Sequence, residues 1–448
     1  MPSLGEAHLR HAAHYETVLR AANELYLQGG ENLRSGLALF DLERINIQAG
    51  QAWAEANAES DETAAWLCSD YPDAGVELLV LRLHPREQIR WLEAALAVAR
   101  RFKLRGAEGA HLGNLGVAYN NLGETRRAIE FHEQALLIDR ELGHRRGEGT
   151  ALGNLGVAYA DLGETRRAIE FYEQALAIDR EIGDRRGEGT ALGNLGGANY
   201  LLGETRRAIE FYEQRLVIAR EIGDREGEGN ALGNLGNAYA DLGETRRAIE
   251  FYEQHRDIAR EIGDRHGEGN ALGNLGNAYL DLGETRRAIE FYEQYLAIAR
   301  EIGDRRGEGT ALGNLGVAYN NLGETRRAIE FHEQYLAIAR EIGDRRGEES
   351  VLGNLGLAYA GLGETRRAIE FHEQALVISR EIGDVRGEGA ELWNMSLALE
   401  KLGERGQAIA RAEAALAIFE QIESPYAEGV RRQVEEWRGA GGDLSADV

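Results

Sequence analysis

Apolar residues recur along most of this chain at intervals of three and four positions, the spacing that places side chains on one face of a helix. In the stretch 151–190, two such faces follow each other, one formed by Leu152, Leu155, Ala158, Tyr159 and Leu162, the other by Ala168, Ile169, Tyr172, Ala175, Leu176 and Ile178. Gly163 and Gly183 stand where the two patterns end, and glycine commonly terminates a helix. We expect Thr165 to cap the second helix and Asp184 to cap the one after it. The stretch therefore predicts a pair of antiparallel helices.

Nearly the same forty residues recur seven times without a gap over residues 111–390, and GETRRAIEF is identical in every copy. A strict period of this length predicts an α-solenoid, in which each helical pair buries its apolar face only against its neighbours. We therefore expect an all-α chain with a helical segment at 1–70, a degenerate capping repeat at 71–110, the seven repeats, a degenerate eighth repeat at 391–430, and a last segment at 431–448.

The flanking segments carry helical patterns of their own. Residues 4–28 and 37–58 predict two helices, separated by a pair of glycines. Pro72 and Pro85 are expected near the helix starts of the capping repeat, where proline is tolerated. A final helix is predicted at 425–437, followed by a glycine-rich acidic end with the composition of a disordered segment.

The repeat resembles the tetratricopeptide repeat, whose pattern is W-x2-L-G-x2-Y followed by A-x3-F. The matching residues of one copy are Leu152, Leu155, Gly156, Tyr159, Ala168 and Tyr172, with leucine in place of the tryptophan. The chain is most similar to the long-repeat subgroup of Pins-type adaptors and kinesin light chains, which share the L-x-N-L-(G/A) core of the first helix. This resemblance implies a right-handed superhelix of helical hairpins with helical caps. It also implies a non-enzymatic scaffold whose concave groove binds an extended peptide or a segment of a partner protein.

A second resemblance concerns the N-terminal segment, where RHAAHYETVLRAANELYLQGG and LALFDLERINIQAGQAWAEA occur. They are similar to the helical segment that follows the nucleotide-binding and winged-helix modules of bacterial STAND ATPases. This implies an alternative function, the sensor or oligomerisation arm of a STAND-like signalling or defence system. A phosphate-binding loop requires G-x4-G-K-[ST], but the two lysines of the chain, Lys103 and Lys401, are each followed by leucine. The alternative therefore concerns a sensor without its ATPase motor.

Differences among the copies indicate a candidate binding face. Three positions of the first helix vary repeatedly, at 157, 160 and 161 and at multiples of forty residues from them, and this spacing places them on one face. Simple drift on a solvated face is the alternative explanation. Between them lies an invariant asparagine column, which consists of Asn114, Asn154, Asn194, Asn234, Asn274, Asn314, Asn354 and Asn394. Its amides can pair with the backbone of an extended segment, or alternatively with a neighbouring helix of the solenoid.

The variable positions suggest the chemistry of a ligand. Asp161, Asp241 and Asp281 would favour basic groups, and the third copy offers an apolar pocket formed by Gly197, Tyr200 and Leu201. The expected partner is therefore a protein or peptide with an apolar or aromatic anchor flanked by lysine or arginine.

Two framework features accompany this face. Gly153 is expected to leave the groove floor open to a ligand backbone, with simple tolerance of glycine as the alternative. The resemblance implies that Gly156 lets the paired helices approach closely. Arg166 and Arg167, with glutamates one turn away, are expected to form a solvated outer face.

Composition limits the possible partners and locations. The formal net charge is −25, and no basic stripe exists to neutralise phosphates, which argues against nucleic acid or an anionic membrane as partner. Cys68 is the only cysteine, so an intramolecular disulfide is excluded. With no apolar signal core and no run of about 18 apolar residues, a cytoplasmic protein is expected. The sequence leaves the oligomeric state open.

No motif points to catalysis, a cofactor or a metal. His8, His11 and His14 follow one another at three-residue intervals, but no cysteine or carboxylate completes a ligand set. His132, His332 and His372 stand where other copies have tyrosine, so packing explains them. Neither a Ser/His/Asp arrangement nor a phosphate-cradling loop can be defended from the sequence.

Overall fold

The computed structural model describes residues 3–439, and these residues form 22 α-helices joined by short turns. The chain divides into two compact units, Met1–Gly227 and Glu228–Val448. Helices of the first unit are α1 (Leu4–Gln28), α2 (Gly30–Asn57), α3 (Glu62–Ala74), α4 (Val76–Arg82), α5 (Pro85–Arg101), α6 (Arg105–Asn121), α7 (Thr125–Leu142), α8 (Arg145–Asp161), α9 (Thr165–Ile182), α10 (Arg185–Leu201) and α11 (Thr205–Ile222).

The next helix, α12 (Arg225–Asp241), begins just before the boundary. The remaining helices of the second unit are α13 (Thr245–Ile262), α14 (Arg265–Asp281), α15 (Thr285–Ile302), α16 (Arg305–Asn321), α17 (Thr325–Ile342), α18 (Arg345–Gly361), α19 (Thr365–Ile382), α20 (Val385–Lys401), α21 (Arg405–Gln421) and α22 (Ala427–Gly439). In each unit consecutive helices pack as pairs, which confirms the predicted all-α solenoid of helical hairpins. The right-handed twist stays a prediction.

One pair, α8 with α9, shows how the sequence builds the core. Leu152, Leu155, Ala158 and Tyr159 of the first helix are buried against Ala168, Tyr172, Ala175 and Leu176 of the second, together with residues of the adjacent pairs. Burying a leucine side chain contributes about 1.5–3 kcal/mol. Because residues of the adjacent pairs complete this cluster, a single pair would leave part of its apolar surface in water, and each pair depends on its neighbours.

The turns of the repeat follow the glycines and one aspartate. Gly183 ends α9 in the left-handed conformation (φ 70°), and Asp184 accepts a hydrogen bond from the backbone N–H of Gly187, which confirms it as a cap. The prediction for Thr165 is wrong, because that residue is the first of α9 and Glu164 holds the N-cap position. The left-handed turn at Gly163 sets this register, in which the carbonyl of Glu164 accepts from the backbone N–H of Ala168.

A buried carboxylate joins the pair α8–α9 to the pair before it. Glu148, only 7% exposed, is held by Arg145 of its own helix and by Nε of Arg140, 2.8 Å away at the end of α7. Arg145 also binds Glu181 at the end of α9. Burial raises the pKa of Glu148, but the hydrogen bonds from the two arginines outweigh it, and the pKa lies below its ordinary value. Equivalent sets recur at Glu188 in the first unit and at Glu268, Glu308 and Glu348 in the second.

Arg167 on the outer edge is exposed and pairs with Glu164 three residues earlier, as expected, and it also packs on an aromatic ring. Its guanidinium lies 4.0 Å from the ring centroid of Tyr159, and that ring stacks on Phe171 at 5.2 Å. The same stack recurs in both units, at Tyr119 and Tyr279 for example. Arg166 is exposed, as expected.

The first predicted helix matches α1, whereas the second begins seven residues earlier than predicted. Gly36, just before the predicted start, lies inside α2 and is a contact point between α1 and α2. A Cβ on Gly36 would lie 2.5 Å from the carbonyl oxygen of Ala22, and one on Gly50 would lie 2.1 Å from the hydroxyl of Tyr71. These glycines are therefore inside the helix because only glycine permits such close packing.

Of the two prolines, Pro85 is the first residue of α5, as predicted, and Pro72 is not at a helix start. It lies two residues before the end of α3, which Asp61 caps. A strong N-cap upstream therefore set the start of that helix.

At the other end, α22 forms with Val430, Val434 and Trp437 buried and Arg431 and Arg432 outward. The predicted disordered end lies beyond Gly439, outside the described residues.

Cys68 is fully buried, and burial raises the pKa of its thiol to about 12. Within residues 3–439, no helix combines the length and the apolarity needed to cross a membrane.

Candidate functional site

Members of the asparagine column lie together along one face in each unit, on the first helix of each pair. In the first unit, Asn154 and Asn194 line a hollow of about 340 Å³, with Gly153 and Val157 beside them. In the second unit, Asn234, Asn274 and Asn314 line a hollow of about 390 Å³. The whole column is half-exposed, and its members are Asn114, Asn154, Asn194, Asn234, Asn274, Asn314, Asn354 and Asn394. We call this face the groove in each unit.

Most amides of the column keep their hydrogen-bonding groups available. Asn274 donates from Nδ2 to Oδ1 of Asn237 in the preceding repeat, over 3.3 Å. Among the described residues, the side chains of the other column members have no hydrogen-bond partner. The alternative of amides consumed within the solenoid therefore applies to Asn274 alone.

Two variable asparagines are held by the second helix. The Tyr252 hydroxyl donates to Oδ1 of Asn237 over 2.8 Å, and the Tyr292 hydroxyl donates to Oδ1 of Asn277 over 2.7 Å. Because Oδ1 accepts from the tyrosine, the Nδ2 hydrogens of both amides are directed elsewhere, and both side chains line the groove. Here the groove presents fixed hydrogen-bond donors.

The groove floor is open at Gly153, in agreement with the expectation for that residue, but it is covered at other repeats. Within the described residues, no atom lies within 4 Å of a Cβ built on Gly113 or Gly153. At Gly193, such a Cβ would meet the guanidinium of Arg215, and at Gly233 it would lie 3.0 Å from the ring of His255. Tyr295 covers Gly273 at 3.4 Å in the same way.

These covering residues occupy one position of the second helix that the sequence analysis missed. The copies place Ala135, Ala175, Arg215, His255, Tyr295, Tyr335 and Ala375 there. The signal was available, since this position varies among the copies as strongly as the three positions singled out on the first helix. Burial lowers the pKa of Arg215 and that of His255. The second helix therefore decides the local polarity of the groove floor.

The predicted acidic residues lie at the ends of first helices and do not line either of the two hollows. Asp161, Asp241 and Asp281 are the last residues of their helices, and all three are exposed. Asp161 accepts a hydrogen bond from Nδ2 of Asn120 over 2.8 Å. Burial and, to a smaller extent, the charge of Asp161 raise the pKa of Tyr172 to about 12.

Near the third copy, the residues of the predicted apolar pocket lie at the end of α10. Leu201 is 74% exposed, and Tyr200 is half-buried. The hollow that contains Asn194 is lined by other residues, so the apolar pocket stays a prediction.

The structure also brings together a serine, a histidine and an aspartate. Oγ of Ser69 lies 3.1 Å from Nε2 of His111, and Nδ1 of that ring lies 3.6 Å from Asp73, beyond hydrogen-bonding distance. Ser69 is 3% exposed and His111 is fully buried, so a substrate cannot reach the hydroxyl. Burial lowers the pKa of His111 to about 4, which suits a packed neutral imidazole. Within residues 3–439, no three His, Cys, Asp or Glu side chains are arranged to hold a metal ion.

Solved structures similar to this chain include a signal transduction ATPase with numerous domains (STAND) that carries a tetratricopeptide repeat sensor, from Pyrococcus horikoshii. It is 16% identical, with a TM-score of 0.61 over 84% of this chain and 57% of its own. The apo quorum sensor NprR from B. thuringiensis is 14% identical, with a TM-score of 0.54 over 78% of this chain and 99% of its own. A putative kinesin light chain from Podosopora anserina with nearly identical repeats is 23% identical and covers 45% of this chain and 98% of its own, with a TM-score of 0.40. These similarities describe the fold.

No curated protein sequence matches the chain significantly. The tetratricopeptide repeat profile matches six overlapping stretches, at 107–181, 147–221, 187–261, 227–301, 268–341 and 307–381. Together they span more than half of the chain, in the region where the helical pairs repeat. The chain therefore belongs to the tetratricopeptide repeat family.

Proposed function

We propose that this chain is a non-enzymatic scaffold whose groove binds an extended segment of a partner protein. Tetratricopeptide repeat folds are typical of protein-interaction scaffolds and sensor domains. The observation that carries the proposal is the column of half-exposed asparagines, most of which have no hydrogen-bond partner among the described residues. Each amide offers a donor and an acceptor at the regular interval of one repeat, which suits a peptide backbone of any sequence.

Selection from a phage-displayed library of twelve-residue peptides on the immobilised chain would supply a defined probe. Calorimetry would then compare the selected peptide on wild type and on Asn234→Ala/Asn314→Ala, because these two column members line the same hollow and have no hydrogen-bond partner among the described residues. We expect the double variant to weaken binding by about 1–3 kcal/mol, because each lost hydrogen bond contributes roughly 0.5–1.5 kcal/mol.

A matched control removes two amides outside the groove. Gln294 and Gln334 are exposed on second helices and donate to backbone carbonyls one turn earlier. Gln294→Ala/Gln334→Ala should leave the affinity unchanged. Equal affinity of all three proteins would exclude the groove as the binding site.

The charge of the ligand forms a finer part of the proposal. Asp241 and Asp281 stand exposed at the ends of α12 and α14, where they favour lysine or arginine in the bound segment. Asp241→Asn/Asp281→Asn should weaken basic peptides selectively and reduce the salt dependence of their binding. Unchanged salt dependence would refute the preference for basic ligands and leave the groove itself in place.

A sensor arm of a STAND-like system is the second candidate, favoured by the fold similarity that extends over 84% of this chain. In this case the bound segment would be a signal that the chain reports to a nucleotide-binding protein. A gene encoding such a protein beside this one, and its co-purification with the chain, would support the sensor candidate. Its absence from affinity-purified complexes would favour the simple scaffold.

A further inference from the structure

The outer face of α2 carries an apolar stripe that nothing in the described part of the chain covers. Its residues follow one another at intervals of four, three, four, three and four positions, and all are exposed: Ala38, Leu42, Ile45, Ala49, Ala52 and Ala56. The two large residues, Leu42 and Ile45, are 77% and 80% exposed. Exposure of large apolar side chains side by side typically marks an interaction surface. We call these six residues the α2 seam.

The flanks of the α2 seam are already engaged within the chain. On one side, Oδ2 of Asp41 lies 3.1 Å from Nη2 of Arg82, and Nε2 of Gln48 donates to Glu87 over 2.7 Å. On the other side, the ring of Trp53 lies 6.4 Å from that of His8. The neighbouring helices therefore pack up to both edges of the seam and leave its centre open.

The opposite face of α2 already serves the core. Phe40, Ile47 and Ala54 are fully buried against α1 and its neighbours. The seam is therefore a second apolar face, which packing within the described chain does not require. An average spacing of 3.5 residues is that of two helices packed along each other with knobs in holes.

The distribution of large and small residues selects the partner. The two large residues stand in the first half of the seam and three alanines in the second half. If a second α2 packs antiparallel across a two-fold axis near Ile47, Leu42 faces Ala52 of the other copy and Ile45 faces Ala49. Every large side chain then meets a small one, whereas a parallel pair would place Leu42 against Leu42.

Charges at the ends of α2 favour the same arrangement. Arg34 and Glu59 are both exposed, one before the α2 seam and one after it. The antiparallel pairing brings Arg34 of each copy close to Glu59 of the other, while the parallel pairing sets like charges beside each other. A two-fold interface uses the same patch on both copies, so each contact occurs twice.

We propose that this chain forms a two-fold symmetric dimer in which the α2 seams of two copies pack antiparallel. This proposal is independent of the groove. It assigns to the N-terminal helical pair the role of a dimerisation element, which would hold two repeat arrays in one particle.

Size-exclusion chromatography coupled to light scattering, on the 448-residue chain at about 100 μM, measures the molar mass in solution and so tests the dimer. We expect twice the chain mass of 49.4 kDa for wild type and the single chain mass for Leu42→Glu/Ile45→Glu. The matched control is Leu137→Glu/Val217→Glu, whose side chains are 58% and 64% exposed elsewhere in the same unit, and it should stay dimeric. Circular dichroism melting would check that both variants fold. A monomeric wild type, or a seam variant that remains folded and dimeric, would overturn the proposal.

Cysteine cross-linking tests the orientation. Cys68 is fully buried and does not compete. Ile45→Cys on a tagged chain mixed with Ala49→Cys on an untagged chain should form a mixed disulfide. Ala49→Cys alone should not form a disulfide between residue 49 of the two copies. In the antiparallel register these residues are offset by about 6 Å along the helix axis, in addition to the distance between the helices, which places them beyond disulfide reach. Efficient cross-linking of Ala49→Cys to itself would show a parallel pair and refute the proposed interface.

Discussion

The ring of Tyr172 lies directly against the backbone of Gly156: a Cβ built on that glycine would be 2.4 Å from Cε1 and 2.5 Å from Cδ1. The resemblance to tetratricopeptide repeats implied this close approach. Gly153, one turn earlier on the same helix, has no atom within 4 Å of such a Cβ among the described residues. Two glycines three residues apart therefore have opposite environments.

Alanine substitution should separate these two glycines. Gly156→Ala should lower the free energy of unfolding by about 1–3 kcal/mol, because the added methyl group must displace the Tyr172 ring. Gly153→Ala should raise it by about 0.5–1 kcal/mol, because alanine favours the helix and meets no obstacle. Urea unfolding of the three proteins measures both effects. Destabilisation of similar size by the two substitutions would contradict the close contact at Gly156.

The hydrogen bond between Tyr252 and Asn237 should contribute to stability. Tyr252→Phe removes it and should cost about 0.5–1.5 kcal/mol. Tyr212→Phe is the matched control, because residue 197 in that repeat is a glycine without a side-chain acceptor. It should change the free energy of unfolding much less. A control that costs as much as the test substitution would mean that the phenol ring, rather than this hydrogen bond, is responsible.

Buried histidines should make stability depend on pH. Burial lowers the pKa of His332 to about 4, below its ordinary 6.5. Between these values the unfolded chain binds a proton that the folded chain does not, so this contribution to stability is lost as the pH falls from about 6.5 towards 4. The slope reaches about 1.4 kcal/mol per pH unit for one histidine.

His332→Tyr provides the test. Another repeat already has tyrosine at the equivalent position, Tyr172, together with Val157 on its first helix, and the repeat of His332 also has valine at that first-helix position. Chemical unfolding at pH 7, 6, 5 and 4.5 should show the variant losing less stability than wild type over this range. Burial raises the pKa of Asp73 to about 6, so this carboxyl group contributes to the pH dependence of stability with the opposite sign. Its contribution is the same in both proteins and cancels when they are compared. Parallel pH profiles would show that His332 is not buried in its neutral form.

Removal of one whole repeat should leave a folded protein. Deletion of 231–270 joins Asn230 to Ala271, and Asn270 precedes that alanine in the intact chain. We expect native circular dichroism and a modestly lower melting temperature, because the stability of a solenoid is approximately a sum over repeats and their interfaces. Deletion of 231–250 removes half a period and should unfold the surrounding pairs. An insoluble product from the forty-residue deletion would indicate that contacts beyond neighbouring repeats are essential.

The sequence by itself determined the helical pairs, the period and the family. Each depends on local signals that repeat: apolar residues every three or four positions, a glycine such as Gly183 at a helix end, and Asp184 as a cap. It also located the asparagine column, since an invariant polar residue between buried leucines stands out when seven copies are compared.

Only the tertiary structure decided which residues form the groove floor and where α2 begins. Arg215 and His255 lie over glycines of the preceding helix, and Gly36 lies inside a helix because α1 passes close to it. Thr165 is the first residue of α9 and not its N-cap, and Pro72 lies inside α3, which Asp61 caps. The sequence could not show these features, because whether a glycine faces water, a ring or a backbone depends on contacts between different helices. Helical periodicity reports only which face of each helix is apolar.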